Sequence, residues 1–594
     1  MRKQILIGIF VIAWISLLVR VFYLSIQSHS YYDELSDRNT IKLELIAPVR
    51  GEILDRNGEP IAINKLGFKI RIKPHLSLKK RRRSLERNID MIVSLLPFLD
   101  RETIEKRYFR QDSHYNHNYI DVVDFISYEE IMPVYTKLNL NEDIKVIPAP
   151  KRYYPNKETA AHVIGYVAKA NRKDIEKDPL LKLVGSVGKS GVEKYYNSYL
   201  EGIAGERKVK VSAYNEEIKE LSHKPPVENR NLTLTIDMRL QRYIEGLFKG
   251  KAGSVIVMGV NGNILSAGSY PEYDLNTFVS GISPKKWEKL INDIDTPFTN
   301  KIINGLYPPG STIKPGLGLV YLTSGINQWW NVDCKGTMKL GKRFFRCWKH
   351  EGHGKTDIRK AIRESCDDYF YKGSLKVGIA QMSQGLKGFG LGQRTGVDLP
   401  NEFIGTVPNR EWKRKRFNQP WYIGETLNTS IGQGDFLVTP LQMAQFTALM
   451  ATGKLPTPHV AALIGDKPYA PEPKDVLSPE QKQMLPVIQQ GMRQVCQHKK
   501  GTATHFLHAK IPIAGKTGTA QVVGISQETK QRLKEHEMAF YTRSHAWLTT
   551  YAPANNPQFV VTVLVEHGGH GGAAAGGMVS DIYNKLIKLG YIKR

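Results

Sequence analysis

Three short stretches of the chain carry side chains that can do covalent chemistry in concert. The first is Ser311-Thr312-Ile313-Lys314, introduced by Pro308-Pro309-Gly310. A serine hydroxyl is a weak nucleophile until a base takes its proton. A lysine three residues on can serve as that base if burial or a second cation lowers its pKa. The proline and glycine fit the lead-in to a helix N-terminus, which puts Ser311 and Lys314 on one face. Pro315 costs little there, because the first N–H groups of a helix have no internal partner. The second stretch is Ser365-Cys366-Asp367. The third, Lys516-Thr517-Gly518-Thr519, lies inside Ile511–Val523, which reads as an edge strand. It adds a second cation, two hydroxyls and a glycine that leaves room for a substrate. Each stretch alone is commonplace, a capped helix or a turn. All three in this order, 54 residues from 311 to 365 and 151 from 365 to 516, carry far more information than any one of them.

These residues need a rigid frame. Asn231–Thr235 alternates as a strand, and Ser254–Val260 and Asn263–Ala267 flank an Asn261-Gly262 step that supplies a two-residue hairpin turn. Ala546–Tyr551 and Phe559–Val565 are further strands. A final helix is expected over Gly577–Leu589, after the glycine- and alanine-rich Gly568–Gly577. Thr439-Pro440 caps a helix with Met443, Phe446 and Met450 on one face. Helices between outer strands predict an α+β domain with an antiparallel sheet. Ahead of it, from Tyr31 to about Pro226, lie short strands (Lys42–Leu45, Phe68–Ile72, Lys145–Ile147) and a helix over Asn88–Phe98. The run Lys79–Arg83 before that helix reads as a solvated face. The polar segment from Ser222 to Glu228 reads as a linker.

The three motifs resemble those of penicillin-binding proteins and class A β-lactamases, and the chain is similar to the elongation branch of the class B penicillin-binding proteins. Further matches are Arg50–Gly58, Lys151–Pro155, Ala160-Ala161-His162, Gly165-Tyr166-Val167, Gly191–Tyr196, Leu234–Asp237 and Gly432-Gln433-Gly434 with Thr439-Pro440, so the likeness covers nearly the whole chain. It implies a cytoplasmic tail (1–4), a transmembrane anchor (5–26), an elongated pedestal (27–225) and a transpeptidase domain (226–594), an antiparallel sheet with a helical subdomain as in serine β-lactamases. It implies a D,D-transpeptidase that cross-links peptidoglycan stem peptides ending in D-Ala-D-Ala during cell elongation, and that β-lactams acylate. Carried over, Ser311 is the nucleophile and Lys314 the general base. Ser365 relays a proton to the leaving D-Ala, and Asp367, where most relatives have Asn, holds that loop. Lys516 supplies charge, Thr517 and Thr519 bind the terminal carboxylate, and Gly518 completes the motif. The backbone N–H groups of Ser311 and Thr519 make the oxyanion hole. The family further implies a RodA-type glycan polymerase and other elongation proteins as partners. Two rival readings are a β-lactam-hydrolysing or sensing homologue and a non-catalytic scaffold that activates a glycan polymerase.

Cysteines add a separate possibility. Cys334, Cys347 and Cys366 fall within 33 residues, with His350 and His353 among them. Such spacing suits a structural zinc held by Cys334, Cys347, His353 and Cys366, with Asp333 or His350 as substitutes for one ligand. The competing readings are a Cys334–Cys347 disulfide or free thiols. No organic cofactor is implied.

The rest of the chain sets the compartment. Ile5–Ile26 is a 22-residue, largely apolar run whose only charge is Arg20, about 33 Å as a helix and enough to cross a hydrocarbon core of about 30 Å. Arg2 and Lys3 keep the N-terminus cytoplasmic, so a bacterial inner-membrane protein with one span and a periplasmic bulk is expected; a cleaved signal peptide is the alternative. No second run approaches that length. Among 594 residues, 84 Lys+Arg against 57 Asp+Glu give +27. That charge suits acidic lipid or an anionic wall polymer. Nucleic acid is not implied, since no zinc-finger, RNA-recognition or helix-turn-helix signature is present.

Overall fold

The computed structural model describes residues 2–27, 40–212, 217–227, 230–523 and 535–593. Tyr31 and the end of the expected linker at Glu228 lie outside the described residues. The chain divides into two compact units, the first formed by Met1–Gly51, Ala170–Gly185 and Glu201–Arg230. In it an exposed apolar helix, Arg2–Phe22, continues as a wider π-helical turn over Tyr23–Gln27. Length and composition suit that helix to crossing a membrane or to acting as a signal sequence. A three-stranded antiparallel sheet follows, Ile41–Ile46 against Gly205–Val211 against Glu217–Lys224. Ser222–Lys224, expected as linker, is therefore the end of a strand paired as far as Glu206↔Lys224. Pro225 and Pro226, which have no N–H to donate, stop it there.

The second unit holds the motifs. Its centre is a five-stranded antiparallel sheet made of β1 (Gly253–Gly259), β2 (Ile264–Tyr270), β3 (Ala514–Ala520), β4 (His545–Ala552) and β5 (Phe559–Val565), in the order β2-β1-β5-β4-β3. The edge strand at Lys516–Thr519 is thus present but shorter than Ile511–Val523. Alternation along β4 sends neighbouring threonines to opposite faces. Thr549 Oγ1 lies 2.6 Å from Thr447 Oγ1 on the helix Pro440–Thr452, and Thr550 Oγ1 3.1 Å from Tyr583 Oη on the helix Gly571–Lys588. Helices thus cover both faces, and nearly every residue of the five strands is buried. The last helix starts six residues before the expected Gly577. Its glycines form the close contact: a Cβ on Gly571 would stand 2.0 Å from the Trp547 carbonyl oxygen and 2.6 Å from that of Gly518.

Among the described residues, two larger sheets and three two-stranded ones also belong to this unit. Ile53–Leu54, Pro60–Lys65 and Lys151–Tyr153 join Leu232–Leu234 and Ala461–Ile464 in one. Gly67–Ile72, between Ile120–Ser127 and Ile144–Pro148, makes the other. The second has its own small core around Ile70, Ile89, Ile92 and Tyr108. Its helix runs Arg82–Leu95 rather than 88–98, because Pro97 disfavours helical backbone just before it. Lys79–Arg83 is solvent-exposed throughout. Between Lys151–Tyr153 and the helix Gly191–Tyr195, buried Arg152 Nε donates to buried Glu193 Oε1 at 2.7 Å, and Tyr154 Oη donates to the same oxygen at 3.1 Å. A buried ion pair contributes little net stability, but breaking it strands a charge. Arg152→Ala is therefore expected to lower unfolding stability by about 3–5 kcal/mol in chemical denaturation of the detergent-solubilised chain; an unmoved midpoint contradicts this.

Candidate active site

Ser311 stands on a single 3₁₀ turn, Gly310–Ile313, which runs into the helix Lys314–Leu322. Side chains three apart eclipse in 3₁₀ geometry, so the serine and lysine do share a face. The helix is buried along almost its whole length, and the turn leaves only Ser311 half-exposed. Pro315 sits in the first turn of the helix, as expected.

Four polar groups of the three motifs then meet. Lys314 Nζ donates to Asp367 Oδ1 at 2.7 Å, to the Ser365 carbonyl at 2.9 Å and to Ser365 Oγ at 3.3 Å. Lys516 Nζ donates to the same Ser365 Oγ at 2.9 Å and to the Thr517 carbonyl at 2.9 Å. Both lysines are fully buried. Burial, and then the Lys314 ammonium, push the Lys516 amine well below the ordinary lysine range. Burial also raises the Asp367 carboxyl, against the opposing pull of Lys314. Two buried amines thus share one hydroxyl and one carboxylate, an arrangement that favours the neutral form of Lys516.

Close backbone approach sets the remaining geometry. A Cβ on Gly310, at φ +55°, would stand 2.8 Å from the Thr519 carbonyl oxygen and 3.3 Å from its nitrogen. One on Gly518 would meet Thr312 Cγ2 at 2.8 Å and the Pro309 oxygen at 3.0 Å. The Ser311 turn and the Thr519 backbone are thereby held side by side. Gly432 closes the stack: its carbonyl accepts from Gly310 N–H at 2.9 Å, and Gln433 Nε2 donates to the Thr519 carbonyl at 3.0 Å. Thr517 is buried, its Oγ1 2.7 Å from Thr502 Oγ1, while Thr519 is half-exposed. Thr502 has no motif around it and only the fold reveals it. Gln433, by contrast, sits in a Gly-x-Gly pattern visible in the sequence.

Ser365 adopts φ +54°, a left-handed conformation that costs a non-glycine residue about 1–2 kcal/mol. What pins it lies next door. Cys366 is fully buried in a group with Cys334, Cys347 and His353, whose donor atoms all lie within 4.8 Å of one another. His353 Nδ1 is 3.6 Å from Cys334 Sγ and 3.4 Å from Cys347 Sγ. Tetrahedral zinc with ordinary bond lengths spaces its donors about 3.5–3.8 Å apart, so this group fits a metal. All four cysteines are free, and Cys334 and Cys347 are not bonded. Asp333 and His350, the alternative ligands, are exposed and outside the group. Asp367 N–H points at Cys347 Sγ at 3.4 Å, and Trp348 N–H donates to Asp367 Oδ2 at 3.0 Å. Cys496, apart from the cluster, is buried and its thiol pushed up to about 12.

With this geometry in place the comparisons are decisive. Residues 253–588 match the family model of the penicillin binding protein transpeptidase domain, and residues 45–234 that of the penicillin-binding protein dimerisation domain. The chain belongs to the penicillin-binding protein family. Among its relatives is the peptidoglycan D,D-transpeptidase MrdA of Escherichia coli (strain K12), 33% identical over 96% of this chain and 91% of the relative. The Acinetobacter baumannii MrdA is 35% identical over 96% and 85%. The solved complex of PBP2 and MreC from Helicobacter pylori aligns at 44% identity with a TM-score of 0.86, covering 93% of this chain and 100% of that one. Pseudomonas aeruginosa PBP2 with WCK 5153 aligns at 31% identity and 0.68, covering 91% and 96%.

In a penicillin-binding protein the Gly518 contact has a measurable consequence. Gly518→Ala pushes on Thr312 and Pro309, displacing the Ser311 turn, and misplacement of about 1 Å costs about 10² in rate. Acylation by labelled penicillin is expected to slow by about that factor, with helical content by circular dichroism unchanged; wild-type kinetics contradict it.

Proposed function

We propose that this chain is a peptidoglycan D,D-transpeptidase that cross-links stem peptides through an acyl-enzyme on Ser311 during cell elongation. The observation that carries the reading is the convergence of Lys314 Nζ, Ser365 Oγ and Lys516 Nζ one turn from Ser311. Ser311 Oγ attacks the carbonyl of the penultimate D-Ala. Lys314 accepts the serine proton, having passed its own through Ser365 Oγ to the neutral Lys516. The N–H groups of Ser311 and Thr519 take the developing oxyanion, a contribution worth about 10²–10³ in rate per donor. Ser365 then delivers a proton to the leaving D-Ala nitrogen, and an amine of a neighbouring stem displaces the serine to form the cross-link. Thr517 and Thr519 hold the terminal carboxylate, Gly518 keeps strand and turn in contact, and Asp367 fixes both Lys314 and the Trp348 loop.

The family resemblance supports a domain division at about residue 226, a single inner-membrane span over 5–26 with the bulk periplasmic, and a RodA-type polymerase as partner. The solved complex of Helicobacter pylori PBP2 with MreC supports a protein partner of the MreC type. Cys334, Cys347, His353 and Cys366 would hold a structural zinc, which would supply a fixed positive centre that clamps the Ser365 turn. Metal analysis should return about one zinc per chain, and Cys347→Ser should lower both zinc content and melting temperature; no zinc with unchanged melting contradicts the site.

Purified full-length chain should cross-link uncross-linked strands, and Ser311→Ala should form neither cross-links nor a penicillin adduct; retained cross-linking ends the proposal. Because the reactive form needs a neutral amine, wild-type acylation should rise with pH as Lys516 loses its proton, below the ordinary lysine range. Lys516→Arg, permanently charged, should flatten that rise. An unchanged profile removes Lys516 from the relay.

A further inference from the structure

Beside the Ser365 turn lies a surface that the reaction just described does not use. From Lys335 to Lys349 the sequence carries six cations (Lys335, Lys339, Lys342, Arg343, Arg346, Lys349) and no acid, and all six are exposed. Much of this segment is an antiparallel hairpin, Thr337–Leu340 with Arg343–Arg346. The helix Arg410–Phe417 carries five cations and one acid. Its Lys413 turns inward to pair with Glu425, which leaves Arg414 and Arg416 on the exposed side. Hairpin and helix region are neighbours: Gly424 lies against Phe345, a Cβ there standing 3.4 Å from Phe345 Cζ, and Lys413 Nζ sits 4.6 Å over the Tyr422 ring.

Large rings stand exposed among these charges, Phe344 at 45%, Trp348 at 56%, Phe417 at 48% and Tyr422 at 60%. Phe344 and Trp348 stand on the cationic 335–349 segment, and Phe417 and Tyr422 beside the cationic helix with Lys413 over the Tyr422 ring, so apolar and positive groups are interleaved on the same two segments. This surface also leads to the catalytic groups. Trp348 N–H bonds Asp367, the Phe345 ring is 5.8 Å from that of Tyr371, and Tyr371 Oη reaches the Arg346 carbonyl at 3.4 Å. Asp367 and Tyr371 lie on one helix, Asp367–Val377.

We propose that this face docks the uncross-linked peptidoglycan strand that brings the stem peptide to Ser311, an inference that rests on the transpeptidase reading above. Cations meet the carboxylates of the strand, and flat rings take the apolar faces of its pyranose units. An anionic lipid surface would satisfy the cations but gives no reason for exposed rings on these segments, one of them, Trp348, bonded to both sides of the Ser365 turn. Charge of one sign around a cleft also concentrates an oppositely charged polymer there.

The test uses the full-length chain in zwitterionic nanodiscs. Two variants separate the contributions, Lys342→Glu/Arg343→Glu/Arg414→Glu/Arg416→Glu and Phe344→Ala/Phe417→Ala. Soluble uncross-linked strands with pentapeptide stems are the probe, vesicles of anionic phospholipid the comparison, and acylation of Ser311 by penicillin the control. The charge variant should bind strands about tenfold or more weakly and with a shallower salt dependence, the ring variant several-fold more weakly. Acylation by penicillin should stay within about twofold of wild type, because a small ligand needs only the cleft. Unchanged strand affinity overturns the inference, as does a loss confined to the lipid vesicles, which assigns the face to a membrane. If wild type takes no penicillin while strands bind and the variants lose them, the transpeptidase reading fails and the docking face stands.

Discussion

Two lysine amines buried around one serine hydroxyl, with a single carboxylate to neutralise them, are the constraint on which this molecule depends. Buried charge is costly unless paired and hydrogen-bonded. Lys314 meets that requirement with Asp367, and Lys516 meets it by giving up its proton readily. A neutral amine is the form a general base requires. In the proposed reaction this electrostatic crowding is the source of reactivity, and the surrounding fold serves to keep the groups crowded.

Three kinds of support do so. The antiparallel sheet fixes Lys516 on an edge strand, and helices on both faces hold the sheet. Glycines at 310, 432, 518 and 571 let backbones approach closer than any Cβ allows, which locks the Ser311 turn to that strand. The cysteine–histidine group packs around Cys366, next to Ser365, whose positive φ is also braced by the Lys314 and Lys516 hydrogen bonds. A metal there would convert four weak contacts into one stiff centre.

Much of this was legible in the sequence, for identifiable reasons. Ser311, Lys314, Ser365 and Lys516 belong to motifs whose spacing carries information, and the Asn261-Gly262 turn and the Thr439-Pro440 cap are local rules that tertiary structure had no reason to override. The four clustered donors are likewise legible from their spacing and ligand type. What escaped was decided at long range. The helix start at Gly571 looks like a loop until packing against Trp547 makes its glycines necessary. Strand pairing of Ser222–Lys224 depends on a partner at 205–211, which a linker-like composition conceals. Thr502 reaches Thr517 only through the fold, and the Lys314–Asp367 pair joins residues 53 apart. The joint face of the hairpin and the helix at 410–417 is a property of neither segment read alone.

The convergence on Ser311 is most directly tested by mass spectrometry of the full-length chain after brief exposure to penicillin, followed by peptide mapping. The account predicts one covalent adduct per chain, on the peptide containing Ser311 and on that hydroxyl. An adduct on another residue, or an unmodified chain under conditions where the fold is intact, contradicts it.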